Sequence, residues 1–158
     1  MATPEDDFPL KVYHALKGCQ LLEQELKRYI SDAQELANKF GGIKMPGDLI
    51  NQDYANRLTK DPATFPLGEL IKVFKGLGGN ETLVEELIKF KLKRNDLCHR
   101  DIVGCLDPDG ELDYGSMSEF QDQLAAIAPE AQRLRLAVHD EANKFRGHLY
   151  FDDISNEA

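Results

Sequence analysis

The sequence contains few cysteines, and their number and spacing exclude two common structural roles. There are three, Cys19, Cys98 and Cys105, and no two of them form a Cys-x-x-Cys pair. An odd number of widely spaced cysteines argues against a disulfide framework and against a structural zinc site. We therefore expect reduced thiols and a cytoplasmic location.

Long apolar runs are also missing. No stretch approaches 18 consecutive apolar residues, and residues 1–7 are acidic, with no positive segment followed by an apolar run. We therefore expect that the chain has no signal peptide and no membrane span. The 158 residues indicate a single domain with a core at about residues 8–150. We expect the acidic segments at 1–7 and 152–158 to be loose.

Positive charge is scarce overall but locally concentrated. A net charge of −9 argues against a protein that coats nucleic acid generally, since such proteins are usually basic. Between residues 89 and 100, however, five cations accompany the single acid Asp96. These cations are Lys89, Lys91, Lys93, Arg94 and Arg100. Such a basic island suits a discrete anionic ligand, although a lysine-rich, solvated helix face would produce the same pattern.

Strand patterns and internal repeats are absent, and the apolar residues recur at helical spacing instead. A first long helix is predicted from about residue 9 to residue 39, followed by a connection with one short helix near residues 48–58. Thr64 is a candidate cap for the second main helix, with Pro66 in its first turn and Gly76 at its end. The fold class is therefore all-α, an antiparallel bundle of four main helices and up to five in total.

Two further main helices complete this bundle. Asn80 is a candidate cap for the third, which should fray near Gly104. Ser116 or Ser118 offers a capping box for the last, and Pro129 should kink or split it.

Two loop patterns resemble ligand sites without meeting their requirements. The segment from Gly76 to Asn80 is glycine-rich, but it lacks a preceding strand and the Gly-Lys-Ser/Thr ending, so it predicts a turn. The acidic residues at 107–113 alternate as in a calcium loop, but Gly110 falls at the fourth position instead of the sixth. We expect a turn there as well.

One residue of the third main helix does not fit an apolar core. Five residues lie at steps of four, three, four and three, which places them in one row on a helix face: Leu83, Leu87, Phe90, Arg94 and Leu97. A buried guanidinium costs several kcal/mol unless it is paired. Asn95 and His99, four residues apart, lie side by side on the edge of this row.

The segment Arg94-Asn95-Asp96-Leu97-Cys98-His99 resembles the motif of the HEPN superfamily. That superfamily consists of all-α bundles recognised by an arginine, a polar residue, and a histidine four to six residues after the arginine. Arg94, Asn95 and His99 match in type and spacing, and they lie late on the third long helix, just before a loop. Arg133 and His139 have a similar spacing, but Leu134 stands where the motif has a polar residue.

The resemblance implies a metal-independent endoribonuclease that acts as a homodimer and needs no cofactor. The two motifs would face each other across the two-fold axis, which would make Arg94 tolerable at a partly wet interface. His99 would exchange a proton with the ribose 2′-OH or the leaving 5′-oxygen, Arg94 would stabilise charge on the phosphoryl oxygens, and Asn95 would orient His99 or the RNA. Lys91 and Arg100 would add weaker RNA contacts. DNA, which lacks the 2′-OH, would not be cut.

Other functions stay open at this point. Some proteins of this kind act as toxins held by an antitoxin or as phage-defence effectors, so a protein partner is possible. A non-catalytic, dimeric scaffold would also fit the acidic surface. A metal-binding bundle would use Asp96 and His99, but the Glu-x-x-His pairs typical of such bundles are missing. Finally, Arg94 of an ordinary helix could extend its side chain to the edge of the bundle.

Overall fold

The computed structural model of the protein describes residues 4–45, 49–99 and 114–150, and within these ranges every regular element is helical. The elements are α1 (Pro4–Phe40), α2 (Gln52–Arg57), a 3₁₀ helix (Pro62–Thr64), α3 (Leu67–Gly76), α4 (Glu81–His99) and α5 (Tyr114–Tyr150). The all-α prediction is confirmed. None of the helices in these ranges is long and apolar enough to cross a membrane. The predicted fraying near Gly104, the acidic turn at 107–113 and the tail at 152–158 lie outside the described residues.

Several predicted helix boundaries hold and others do not. Asn80 caps α4 as predicted, because its side-chain oxygen accepts a hydrogen bond from the backbone N–H of Leu83 at 3.0 Å. Thr64 does not cap α3. It ends the 3₁₀ helix that Asp61 caps, and its hydroxyl donates to the carbonyl of Asp61 at 2.9 Å. The start of α1 at Pro4 also makes residues 4–7 helical, where a loose segment was expected.

The last helix is longer and less interrupted than predicted. α5 begins at Tyr114, so Ser116 and Ser118 lie inside it and do not cap it. It continues through Pro129, although a proline removes one backbone hydrogen bond. Close packing against α1 supports this region, since a Cβ placed on Gly18 would lie 3.3 Å from the Cα of Ala128. The prediction that Pro129 splits the helix is wrong.

The glycine-rich segment after α3 forms the predicted turn. Gly78 has a φ of +96°, a conformation that favours glycine. The N–H of Gly79 donates to the carbonyl of Phe74 at 3.0 Å, and a Cβ on Gly79 would come within 2.3 Å of the Phe74 ring. The turn therefore joins α3 and α4 as an antiparallel pair and leaves no space for a side chain at Gly79.

The main helices do not alternate in direction, as a regular antiparallel bundle requires. α4 runs antiparallel to α3 and α5, but α1 and α5 run parallel. Their paired residues advance together along both helices: Lys11 with Gln121, Glu25 with His139, and Asp32 with Arg146. α3 packs beside the second half of α1, where Phe74 meets Tyr29, so the chain returns alongside α1 before α3 starts. The prediction of an antiparallel arrangement therefore holds only for the pairs that include α4.

The apolar faces of α1, α3, α4 and α5 meet in one core. Tyr29 of α1 lies at its centre, with its ring edge-on to Phe74 at 4.7 Å and to Phe145 at 5.1 Å between centroids. Burial, aided by the nearby Glu141 carboxylate, raises the pKa of the Tyr29 phenol well above its ordinary value. This core fixes the positions from which α1 and α4 present their polar side chains.

Candidate functional site

The row of α4 that contains Arg94 has the burial that the sequence predicts. Leu83, Leu87, Phe90 and Leu97 are all buried. Arg94 lies in the same row, but 27% of its side chain is exposed. Helical spacing therefore identified both the core-facing side of α4 and the one position where that side reaches solvent.

Arg94 has one loose ionic partner. Its Nη1 lies 3.6 Å from Oε1 of Glu23 on α1, whereas a charge-assisted hydrogen bond between such groups spans about 2.7–2.9 Å. Its Nε is buried, and among the described residues this nitrogen has no hydrogen-bond partner. A guanidinium carries five N–H donors, so most of the capacity of Arg94 to bind an anion is unused.

The short length of α3 explains why this position is open. α1 and α4 each pack on α3 and α5 and so lie diagonally across the bundle. A Cβ placed on Gly68, near the start of α3, would lie 3.6 Å from the end of the Lys91 side chain. Arg94 lies about 4.5 Å further along α4, in the direction of the start of α3. A single chain therefore accommodates Arg94 at its edge, with 27% of the side chain exposed, as the alternative of an arginine that extends to the edge of the bundle requires. The homodimer stays a prediction.

The other residues of the motif follow Arg94 on the same helix. Asn95 is partly buried, and His99 is the last residue of α4. Asn95 and His99 are four residues apart in a continuous helix, so their positions lie in nearly the same register on α4, next to the position of Arg94. Lys91 is partly buried beside Gly68, so part of its side chain packs on α3. Arg100 lies outside the described residues.

Sequence reasoning missed an exposed apolar row on α4. Ile88 and Leu92 are 38% and 59% exposed, and they precede Asn95 and His99 at steps of four, three and four. The same helical count that found the buried row would have found this second one. The motif side of α4 therefore combines apolar and polar groups, as surfaces that bind another protein commonly do.

The cations of the basic island do not form a single patch. Lys89 and Lys93 line a groove of about 330 Å³ between α4 and α5, together with Glu86 and Glu130. Lys91 lies on the opposite side of α4, beside α3. In the groove, a hydrogen bond from Arg133 lowers the pKa of Glu130, so this side of the helix carries paired charges of both signs.

A second ionic cluster lies between α1 and α5. Nε of Arg146 donates to Asp32 at 2.8 Å, and its Nη2 donates to Glu25 at 3.2 Å. Its Nη1 lies 3.0 Å from Nδ1 of His139, which also lies 3.3 Å from Glu25. Arginine can only donate, so when this bond forms Nδ1 of His139 must accept it. These groups satisfy one another, which gives the cluster a structural role at the helix interface.

The sequence carried a signal for this cluster that went unused. Glu25 and Asp32 are seven residues apart on α1, and His139 and Arg146 are seven apart on α5. Equal steps of seven residues on two helices allow such side chains to pair across the interface, whichever way the helices run. The spacing therefore indicated a possible ionic contact between α1 and α5, but it did not indicate the relative direction of the two helices.

Metal-binding residues are not gathered in the part of the chain that the structure describes. No group of three or more histidine, cysteine, aspartate or glutamate side chains is arranged there to hold a metal ion. Asp96, one half of the metal-binding alternative, is exposed on α4. We found no matching family model, no similar curated protein and no similar solved structure.

Proposed function

We propose that the protein is a metal-independent endoribonuclease of the HEPN type, active as a homodimer, with Arg94, Asn95 and His99 at its site. The observation that carries this proposal is the incomplete bonding of Arg94. An arginine that served only structure would be expected to have its buried nitrogen satisfied, yet Nε has no partner among the described residues and the nearest carboxylate is 3.6 Å away. A phosphate group would supply acceptors to the part of the guanidinium that reaches solvent.

The reaction would use the ribose as its own nucleophile. The 2′-oxygen would form a bond to phosphorus as its proton leaves, and the bond from phosphorus to the 5′-oxygen would break. The products would be a 2′,3′-cyclic phosphate and a 5′-hydroxyl. Histidine is the side chain that most readily exchanges protons near neutral pH, so we assign to His99 the proton exchange with either oxygen. Arg94 would stabilise the charge that grows on the non-bridging oxygens.

The exposed row of Ile88 and Leu92 supports the dimeric form. Both residues share the side of α4 that carries Asn95 and His99, so a second copy packed on this side would bring two motifs together. Burial of exposed apolar surface would drive that association. The toxin and phage-defence roles, each with a regulatory protein partner, are particular settings of the same activity.

RNA cleavage in the presence of EDTA tests the activity. Purified protein should cut RNA but not an otherwise identical strand with 2′-deoxyribose at the cleaved positions. His99→Ala should abolish cleavage, and His14→Ala, at an exposed histidine on α1, should not. His139 is unsuitable as a control because it contacts Glu25 and Arg146.

The same preparation distinguishes the competing functions. Cleavage that requires a divalent ion would revive the metal-binding alternative at Asp96 and His99. A dimer that cuts no RNA would favour the scaffold, for which the exposed apolar row is equally suitable.

A further inference from the structure

We infer that Glu23 acts as an internal competitor for the anion site of Arg94 and so sets the affinity of that site for phosphate. This inference rests on the proposed function for its biological meaning, because it assumes that the anion is the phosphate of an RNA. It assigns to α1 a residue that tunes substrate binding, although the motif itself lies entirely on α4.

The contact between Glu23 and Arg94 is loose enough for another anion to displace Glu23. The 3.6 Å separation between Nη1 and Oε1 leaves an ionic attraction without a short hydrogen bond. The two side chains are 27% and 24% exposed, so both reach solvent. An incoming phosphate can approach the guanidinium with two oxygens at once, which a carboxylate at this distance does not do.

Glu23 can leave Arg94 only by rotating its side chain. Its backbone is held on α1, because Leu22 and Leu26 beside it are completely buried in the core. Lys27, one turn further along the same helix, is partly buried and stands at the i+4 position. A glutamate followed by a lysine at this spacing is a favourable helical pair. The released carboxylate therefore has a second cation within reach.

Removal of the Glu23 charge should favour an anion at Arg94. Glu23→Gln keeps the size of the side chain but ends the competition, and the affinity for inorganic phosphate should rise about tenfold. For RNA cleavage, KM should fall while kcat changes little, because the proposed reaction gives Glu23 no role at the attacking or the leaving oxygen. If Glu23 had a purely structural role, Glu23→Gln would change the melting temperature but would not lower KM at an unchanged kcat.

The matched control is Glu35→Gln. Glu35 is exposed on the same helix, about 18 Å further along its axis than Glu23. The substitution therefore changes the net charge equally without altering the surroundings of Arg94. Glu23→Asp, which retains the charge, should keep phosphate affinity nearer to that of the unchanged protein than Glu23→Gln does.

The experiment titrates inorganic phosphate into the full chain, with binding followed by calorimetry, for the unchanged protein, Glu23→Gln, Glu35→Gln and Glu23→Gln combined with Arg94→Leu. We expect tighter binding only in Glu23→Gln and its loss in the double variant. Equal affinities for Glu23→Gln and Glu35→Gln would overturn the inference, as would tighter binding that persists without Arg94.

RNA cleavage by the same variants separates the inference from the proposed function. If Glu23→Gln alone binds phosphate more tightly but no variant cuts RNA, the inference holds and the proposed function fails. If RNA is cut with equal KM in both glutamine variants, only the inference fails.

Discussion

Arg146 of α5 and Asp32 of α1 form a 2.8 Å ion pair whose side chains are only 7% and 11% exposed. The same guanidinium pairs with Glu25, so one buried cation bridges two largely buried carboxylates. This relationship joins the two longest helices and has the largest predicted effect on stability.

Replacement of Arg146 by Met should lower the free energy of unfolding by about 3–5 kcal/mol, because it leaves buried carboxylates without their partner. Arg28→Met is the control. Arg28 also faces Asp32, but at 4.0 Å and with 56% of its side chain exposed, so its loss should cost about 1 kcal/mol or less. Urea unfolding at neutral pH measures both. Equal losses would show that burial does not decide the strength of these pairs.

Arg94→Leu should separate stability from activity. The substitution restores the apolar row of α4 and removes a buried nitrogen without a partner, so the melting temperature should hold or rise. RNA cleavage should fall by about 10²–10³-fold through the lost charge stabilisation. Arg133→Leu, at an exposed arginine of α5, should leave cleavage unchanged. If Arg94→Leu lowered the melting temperature and left RNA cleavage unchanged, the role of Arg94 would be structural only.

Leu92→Lys should prevent dimer formation. The substitution places a charge in the exposed apolar row of α4. The control is Leu136→Lys, the same change at an exposed leucine of α5. Sedimentation at micromolar concentration should show a dimer for the unchanged protein and for Leu136→Lys. Leu92→Lys should sediment near the monomer mass of 17.8 kDa. If the unchanged protein and both variants were all monomers, the proposal that a second copy brings two motifs together would be contradicted.

Arg133→Ala should reveal a stability contribution that disappears in acid. The hydrogen bond from Arg133 lowers the folded-state pKa of Glu130 from its ordinary 4.5. At a pH between the folded-state and the unfolded-state pKa of Glu130, the unfolded chain binds a proton that the folded chain does not. The stabilisation is therefore fully present above pH 4.5 and is lost as the pH falls through the folded-state pKa. At pH 7 the variant should be less stable by about 1 kcal/mol at most, since the pair is exposed. Urea titrations at neutral and acidic pH test this, and a constant difference would argue against it.

Gly79→Ala should destabilise the turn between α3 and α4. The new Cβ would collide with the ring of Phe74, which is completely buried and cannot move aside freely. We expect a loss of about 1–3 kcal/mol, as for other overpacked sites. Gly42→Ala meets no atom within 4 Å and should change stability by about 0.5 kcal/mol or less. Thermal unfolding of the two variants provides the comparison.

Local signals in the sequence predicted the elements of the fold but not their arrangement. The spacing of Leu83, Leu87 and Phe90 identifies the buried side of α4, and Asn80 caps that helix, because both depend on neighbours within a few residues. Thr64 failed as a cap because it is the last residue of the 3₁₀ helix, where its hydroxyl donates to the carbonyl of Asp61, while Pro66 takes the cap position of α3. The 3₁₀ helix depends on the conformation of the whole turn, which the capping pattern did not contain.

The parts of the site that the sequence did not predict depend on which helices meet. Arg94 stands out in sequence as a charge in an apolar row, but its partner Glu23 is 71 positions away and on a diagonal helix. No periodicity within α4 contains that information. Pairing between Asp32 and Arg146 is likewise a consequence of the relative direction of α1 and α5, which no local pattern in either helix contains.

The parallel pairing of α1 with α5 also bears on how quickly the chain can fold. Bonded residues of these two helices are 109 to 121 positions apart, so their contact closes a loop of most of the chain. Such closure is entropically costly, and distant contacts slow folding. The α3–α4 turn can form early, while the apolar face of α1 remains without its main partner until α5 has been synthesised. During translation α1 is therefore the segment most exposed to aggregation and to chaperone binding.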